Sequence, residues 1–484
     1  MNKTKSIKFN FLMNSILTLS SIVFPLITFP YVSRILLPEG VGKVSLATSV
    51  VSYFSLIAQL GIPIYGIRVC AKIRDNKEEL ASCVQELLII NMIMSMISYI
   101  VFFIMLFSLD RFANEKLLYI VMSSTILLNS IGVEWLYKGL EQYTYITVRS
   151  IIFKALALVA LLLFVHQQND YIVYGAISIL AASASNVMNF INARKYIFKK
   201  SYRKLYFKPH LKAVMIFFAM SCATTIYTHL DTIMIGFINT DADVGYYNSA
   251  IKIKQFLVSI ITSLGAVLLP RSSYYIETNQ FNNFKKISNK AIHFVFILGI
   301  PIMIYFIIFA KQSIYFLAGT EYGKSILPMQ ILMPTVLFIG LSNLLGIQML
   351  VPLGKEIHIL YSEILGAVVD FVINLVLIPR YSSVGAAIGT LVAEFVVLIY
   401  QYVVLSDIVK KMFKGISYWK LIIAVILSAV ISLLILNFEL SNFLTLCISA
   451  IIFYGVYVII LIFCKEEFIF EIIKDIIVKL HVKK

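Results

Sequence analysis

The chain has 484 residues, 60% of them hydrophobic and only 14% charged, with a mean hydropathy of +0.90. That composition excludes a soluble globular protein, and the apolar runs are too long and unalternating for a transmembrane β-barrel, whose strands are about 10 residues. The formal net charge of +16 is scattered over short connections, which argues against a nucleic-acid partner.

Lys3, Lys5 and Lys8 precede the first apolar run, as in a signal peptide. The run is too long for one, and no small-residue cleavage site follows Phe29-Pro30-Tyr31, so it reads as a retained first helix. Fourteen stretches long enough to cross a bilayer follow one another, at roughly 10–33, 41–66, 84–108, 116–137, 146–166, 171–193, 212–238, 244–270, 290–309, 325–352, 357–379, 382–405, 418–437 and 443–464. Hydrocarbon offers a backbone no hydrogen bonds, so each stretch must be helical. The expected fold class is an all-α membrane protein of about 14 transmembrane helices. The longest connections, near 194–211 and 271–289, are too short to fold alone. Pro301, Pro328, Pro334 and Pro352 are placed to kink or end helices.

If the connections alternate and the N-terminus is cytoplasmic, thirty-one of the 41 Lys and Arg residues fall on the cytoplasmic side and seven outside, with three inside spans. This is the positive-inside asymmetry, and it places both termini in the cytoplasm. The 194–212 segment is its densest part, with Arg194, Lys195, Lys199, Lys200, Arg203, Lys204, Lys208 and Lys212. Of the five cysteines, Cys222 and Cys447 sit in apolar runs and read as small packing residues; no metal or disulfide spacing is present.

Two segments about 203 residues apart share a pattern. Val41-Gly42 and Val244-Gly245 open them, and Leu60-Gly61 and Leu264-Gly265 close them. Pro63 and Arg68 follow the first; Pro270 and Arg271 follow the second. Ser45, Ser49, Ser52 and Gln59 form one polar helical face, and the same offset gives Asn248, Lys252, Gln255 and Thr262. Such stripes must face water or other protein. One reading is a water-filled cavity lined from both halves; the other is glue between helices. An even number of spans separates the repeats, so the halves are parallel, as in many secondary transporters. The expected lobes are 1–200 and 201–406, with 407–484 adding two helices and a cytoplasmic tail.

The ordered motifs resemble the Wzx-type flippases of lipid-linked oligosaccharides, in the multidrug/oligosaccharidyl-lipid/polysaccharide exporter superfamily. They include Pro30-Tyr31-Val32-Ser33-Arg34-Ile35-Leu36, Glu134-Trp135-Leu136-Tyr137-Lys138-Gly139-Leu140-Glu141 and Tyr145-Ile146-Thr147-Val148-Arg149-Ser150. They continue with Asp231-Thr232-Ile233-Met234-Ile235-Gly236, Gly245-Tyr246-Tyr247-Asn248-Ser249-Ala250, Leu341-Ser342-Asn343-Leu344-Leu345-Gly346 and Val384-Gly385-Ala386-Ala387-Ile388-Gly389-Thr390. The resemblance implies two six-helix bundles in a V around a cationic central cavity, working by alternating access. It implies an undecaprenyl-pyrophosphate-linked oligosaccharide as cargo, carried to the outer leaflet of the bacterial cytoplasmic (inner) membrane for O-antigen, capsule or a related polymer. A polysaccharide polymerase and export machinery are the implied partners.

A pyrophosphate calls for cations. Lys252 on the polar stripe is the first candidate, with Asn248 and Gln255 beside it and Lys254 about 200° round the helix. Lys154, mid-span, is either a substrate contact or the partner of an acid such as Glu134. Arg34 at the outer end, and Arg68, Arg149 and Arg271 at the cytoplasmic ends, are phosphate contacts or topology signals. Asp231, Glu363, Asp370 and Glu394 are candidate ion-coupling carboxylates; pairing with lysine or interhelical hydrogen bonding would explain them too. Glu363, Asp370 and Asn374 share one helical face. No cofactor or metal site is expected, and no Walker A motif is present. A proton or sodium gradient, the membrane potential or downstream consumption is left to drive transport. The rivals are a MATE-like drug or cation antiporter and, less favoured for want of catalytic loops, a membrane oligosaccharide polymerase.

Overall fold

The computed structural model describes residues 7–197, 205–263, 265–466 and Phe470. Lys3, Lys5, Lys199, Lys200, Arg203, Lys204, Leu264 and the C-terminal tail lie outside them. Among the described residues every regular element is helical. Twelve runs are long and apolar enough to cross a membrane.

The elements are α1 (Ile7–Gln59), α2 (Ile62–Ile73), α3 (Lys77–Ser108), α4 (Lys116–Ile131), α5 (Glu134–Gly139) and α6 (Tyr143–Phe164). Next come α7 (Tyr171–Ile179), α8 (Ser185–Ile197), α9 (Lys208–Ile238) and α10 (Asp241–Thr262). Then follow α11 (Gly265–Glu277), α12 (Phe281–Ile308), α13 (Ala310–Leu317), α14 (Ile326–Asn343) and α15 (Ile357–Tyr381). The chain continues as α16 (Ser383–Val404), α17 (Ser406–Lys414), α18 (Tyr418–Leu433) and α19 (Asn442–Phe463).

Two expected spans, 10–33 and 41–66, lie within one run, Phe9–Ile73. A straight α1 of 53 residues would measure about 80 Å, far beyond a hydrocarbon core of about 30 Å. It bends at Leu37, with φ 56° and ψ 178°, directly before Pro38. The 244–270 stretch, expected as one continuous helix, is interrupted. Its polar helix α10 stops at Thr262, α11 starts at Gly265, and α10 is not among the twelve apolar runs.

The chain divides into two compact units, Met1–Gly245 and Tyr246–Lys484. The division falls inside α10, later than the expected lobe edge at 200, because α9 packs within the first unit. Gly61 allows this: a Cβ there would lie 2.3 Å from the Val214 carbonyl oxygen of α9.

Hydrogen bonds within the first unit fix the helix directions. Thr147 Oγ1 donates to the Met13 carbonyl, Lys154 Nζ to Ser20 Oγ, and Tyr31 OH to the Val165 carbonyl, all across 134 residues. The first part of α1 therefore runs parallel to α6. Its second part runs antiparallel to α9, through Ser49 with His229 (3.1 Å) and Tyr53 OH donating to Ile226 O (3.4 Å). One end of the unit gathers Lys43–Glu115 (3.0 Å) and Arg111–Asp241. The opposite end gathers Arg74–Glu141 (3.1 Å) and His210–Glu86 (2.7 Å). Connections thus alternate between ends.

In the second unit α10, α11 and α12 repeat the order of bent α1, α2 and α3: a helix, a break, a short helix bearing Arg271 or Arg68, then a long helix. α15 and α16 form an antiparallel hairpin joined by Gln401 Nε2 donating to Ser362 Oγ at 3.0 Å. Tyr305 OH donates to Leu446 O (2.8 Å) and Tyr457 OH to Ile297 O (2.9 Å), docking α19 on α12. The cysteine expectation is corrected: Cys447 is exposed and Cys222 half-buried, while Cys70 and Cys83 are the packed ones. An apolar helix in lipid has an outward face, so an apolar run does not guarantee burial in protein.

A Cβ on Gly385 would lie 2.6 Å from the Leu377 backbone across the α15–α16 hairpin, whereas one on Gly455 meets nothing within 4 Å. Gly385→Leu is expected to lower the thermal transition in detergent by roughly 2–8 °C, from about 1–3 kcal/mol of overpacking. Gly455→Leu should leave it unchanged. Equal transitions for the two variants would show that the close approach does not hold the hairpin.

Candidate functional site

A polar stripe on a membrane helix needs partners that hydrocarbon cannot give. In the first unit it finds them in a cavity of about 260 Å³ between α1, α4 and α9. α1 supplies Ser52, Ser55 and Gln59. Thr125 and Asn129 come from α4, one turn apart, and Ser221, Thr225 and His229 from α9, at steps of four. Leu56, Leu60 and Pro63 complete the lining, which carries no Asp, Glu, Lys or Arg.

Part of this lining is locked. Gln59 Nε2 donates to Ser55 Oγ at 2.9 Å, and Asn129 Nδ2 to the same oxygen at 3.3 Å. Asn129 Oδ1 accepts from Ser183 Oγ (3.0 Å) and Asn186 Nδ2 (3.2 Å). Asn189 Nδ2 reaches Asn186 Oδ1 at 3.5 Å, and Tyr137 OH donates to Asn189 O at 2.7 Å. An amide seam thus runs from the cavity to the Trp135-Leu136-Tyr137 turn.

Half of the expected stripe lines the cavity. Ser52 and Gln59 line the cavity, Ser49 bonds His229 beside it, and Ser45 is half-buried outside the lining. His229 reads from the sequence as a packing or polar-lining residue, while Thr125 and Asn129 on α4 and Ser221 and Thr225 on α9 were not anticipated. Their signal was present as polar groups at i, i+4 and i+8 in apolar helices.

The candidate cations lie on several elements. Arg34 is exposed, with Nη1 donating to the Pro30 carbonyl at 2.6 Å on its own helix. Arg68 is exposed on α2 and Arg271 on α11. Arg149, expected at a wet helix end, is 5% exposed. Its Nη2 lies 3.6 Å from Glu134 Oε2 and its guanidinium 5.9 Å from the Tyr145 ring centre, while Nε and Nη1 bond nothing among the described residues. Lys154 does not pair with Glu134: its Nζ donates to Ser20 and Ser21 hydroxyls, both at 2.8 Å, and Glu134 holds Lys138 at 2.8 Å. Lys252, Lys254 and Asn248 are half-buried and Gln255 is exposed, all on α10.

The candidate carboxylates lie on α9, α15 and α16. Asp231 is 7% exposed on α9. Asp370 and Asn374 are buried on the face of α15 that meets α16; a Cβ at Gly389 would lie 2.8 Å from Asp370 Oδ1. Glu394 is buried on α16, and Glu363 is half-buried on α15. Among the described residues no group of three His, Cys, Asp or Glu is placed to hold a metal ion.

A family model described as polysaccharide biosynthesis protein matches residues 7–276, and one described as MatE matches residues 217–376. Two proteins named "Putative O-antigen transporter" are similar over almost their whole length. The one from Shigella dysenteriae is 25% identical over 385 residues, 78% of this chain and 95% of its own. The one from Escherichia coli is 22% identical over 403 residues, 82% of this chain and 96% of its own. Among solved structures, the lipid II flippase MurJ in an inward closed conformation matches with a TM-score of 0.74 at 16% identity, covering 94% of this chain and 99% of that one. An inward-facing multidrug resistance MATE family transporter matches with a TM-score of 0.61 at 16% identity, covering 83% and 99%. These two likenesses establish the shared fold.

The Arg149–Glu134 geometry predicts an asymmetry between its two halves. Arg149 is buried, while Glu134 is half-exposed and also serves Lys138. Glu134→Gln should cost about 1–3 kcal/mol by leaving a buried guanidinium without its counter-charge. Arg149→Met should cost less, since Glu134 still reaches water. Thermal unfolding of both purified variants measures the difference, and the reverse order would mean Arg149 draws its stability from elsewhere.

Proposed function

The chain belongs to the polysaccharide biosynthesis protein family, whose model spans more than half of it, and from that premise we propose that it flips a lipid-linked oligosaccharide across a membrane. It is a transporter and not an enzyme. The observation that carries this reading is the similarity to O-antigen transporters over nearly their entire length. The fold shared with a lipid II flippase agrees with it. The finer reading takes an undecaprenyl-pyrophosphate-linked repeat unit from the inner to the outer leaflet of a bacterial inner membrane, by alternating access, for O-antigen, capsule or a related polymer. A polymerase acting on the outer side would then consume the product.

The roles of residues follow from charge. Lys252, beside Asn248 on the polar face of α10, is the cation proposed to meet the pyrophosphate. Arg68 and Arg271, exposed on matching short helices, suit the first contact with an incoming anion. The MatE match favours the antiporter rival only as far as a shared fold does. A drug exporter for cations would gain nothing from Lys252 and Lys254.

An inside-negative potential drives anions outward, by about 2.3 kcal/mol per charge per 100 mV. Inward cation exchange would help as well, and Asp231, Glu363, Asp370 and Glu394 are the carboxylates available for it. We propose cation-linked antiport as the coupling.

Sealed proteoliposomes loaded with undecaprenyl-pyrophosphate oligosaccharide test both proposals. The wild type should flip it, Lys252→Ala should flip several-fold more slowly, and Lys252→Arg should recover part. Flipping should also slow when ion gradients are collapsed at fixed potential. Full activity of Lys252→Ala removes that residue from the site, and an unchanged rate without gradients rejects antiport. No flipping by the wild type rejects the function itself.

The charge division of the connections places both termini in the cytoplasm under this reading. Reporter fusions in 238–243 and 437–442 should read as external, and fusions at either terminus as cytoplasmic. A cytoplasmic signal from either internal site would overturn the orientation.

A further inference from the structure

The cavity between α1, α4 and α9 is unlike a phosphate site. Eight of its eleven lining residues are polar and none is Asp, Glu, Lys or Arg. A pyrophosphate there would be desolvated without a counter-charge. A lipophilic cation would find no carboxylate and no Phe, Tyr or Trp face in the lining, whose one ring, His229, is bonded to Ser49. What the lining offers is hydroxyl groups, amides and the His229 imidazole around a small apolar patch of Leu56, Leu60 and Pro63.

Ser52 Oγ donates to Thr48 O on its own helix and His229 bonds Ser49; the other six polar groups fall into two kinds. Ser55, Gln59 and Asn129 are tied to one another and held from behind by Ser183 and Asn186. Among the described residues the hydroxyls of Thr125, Ser221 and Thr225 make no hydrogen bond. Fixed amides with unpaired hydroxyls around an apolar patch match a neutral, polyhydroxylated ring, whose rim bears hydroxyls and whose faces bear C–H groups. The volume of about 260 Å³ lies just under the ~300–1,000 Å³ usual for drug-sized ligands, so it suits a single sugar ring and not a whole repeat unit.

We infer that this cavity is a sugar subsite of the first unit, holding an uncharged ring of the cargo with a lining that carries none of the cations proposed to take the pyrophosphate. The inference rests on the flippase reading above. It adds a division of labour: selectivity for the glycan at α1, α4 and α9, and anion capture elsewhere.

The test measures dissociation constants of the purified full-length protein for two probes. One is native undecaprenyl-pyrophosphate oligosaccharide; the other is undecaprenyl pyrophosphate without sugar. The wild type should prefer the sugar-bearing lipid. Thr225→Phe, which fills the cavity, should weaken that lipid about tenfold or more and leave the bare lipid within about twofold. Thr225→Val, which removes only the hydroxyl, should weaken the sugar-bearing lipid by roughly twofold to tenfold. The isosteric variant keeps the test valid if the bulky one misfolds. A preference retained in both variants, an equal loss for both lipids, or no preference in the wild type would overturn the subsite. Failure of the wild type to bind either lipid would overturn the flippase reading as well.

Discussion

Everything in this chain answers to one constraint: inside hydrocarbon a backbone amide must find its partner within the protein. Straight helices meet it alone, but associating helices need something more, since lipid and leucine are equally apolar. The repeated solution is a side-chain donor reaching a carbonyl of a neighbouring helix. Ser98 Oγ donates to Phe54 O at 2.7 Å, Tyr99 OH to Ser123 O at 2.8 Å, and Arg111 Nε to Gly236 O at 2.7 Å. The second unit does the same with Tyr305 and Tyr457 between α12 and α19, and with Gln330 Nε2 donating to Ile307 O at 3.0 Å. Each such bond averages only about 0.6 kcal/mol, so their effect lies in fixing register and direction as much as in strength.

This constraint explains what the sequence made legible. Hydropathy located the helical runs, because a run that fails to bury its backbone in a helix cannot sit in lipid. Alternation of the connections was the premise of the charge count, and the packed ends of the first unit agree with it. The paired stripes and the paired helix–break–short helix segments were visible as spacing. The closing pairs Leu60-Gly61 and Leu264-Gly265 were visible too, but the backbone geometry of the first was not. At Leu60-Gly61 the left-handed residue is Leu60, with φ 47°, although glycine usually takes that role. Gly61 has φ −90° and is needed for a different reason, the close passage of α9.

The site was less legible than the fold, because a sequence shows which groups are polar and not which neighbours they meet. Lys154 looked like half of an ion pair, yet two serines on the parallel helix hold its ammonium. Arg149 looked like a topology signal, yet it is one of the buried cations. Asp370 and Asn374 lie in the α15–α16 contact, where small residues such as Gly385 and Gly389 bring the backbones together. Carboxylates at such a contact would hold helices together unless the hairpin opens during transport. Thr125, Ser221 and Thr225 stand beside other hydroxyl residues such as Ser124 and Thr224, and only their convergence in space singles them out.

The two kinds of polar group in that cavity have different consequences for selectivity. A hydroxyl rotates, donating in one direction and accepting in others, so Thr125, Ser221 and Thr225 can serve hydroxyls of either ring orientation. The amides of Gln59 and Asn129 are held by their neighbours and present fixed atoms. A site built from both tolerates change at the rotors and resists it at the amides. The difference follows from the cost of leaving a locked group unpaired, about 1–3 kcal/mol, against the near-zero cost of turning a hydroxyl. Discrimination between glycans would therefore concentrate on α1 and α4, where the amides are, while α9 supplies adaptable contacts. α9 also lies against Gly61 at the break that follows α1. A shift at that break would move Ser221 and Thr225 relative to the amides and leave Thr125 with Asn129 on α4, so the grip on a ring would loosen from the α9 side alone.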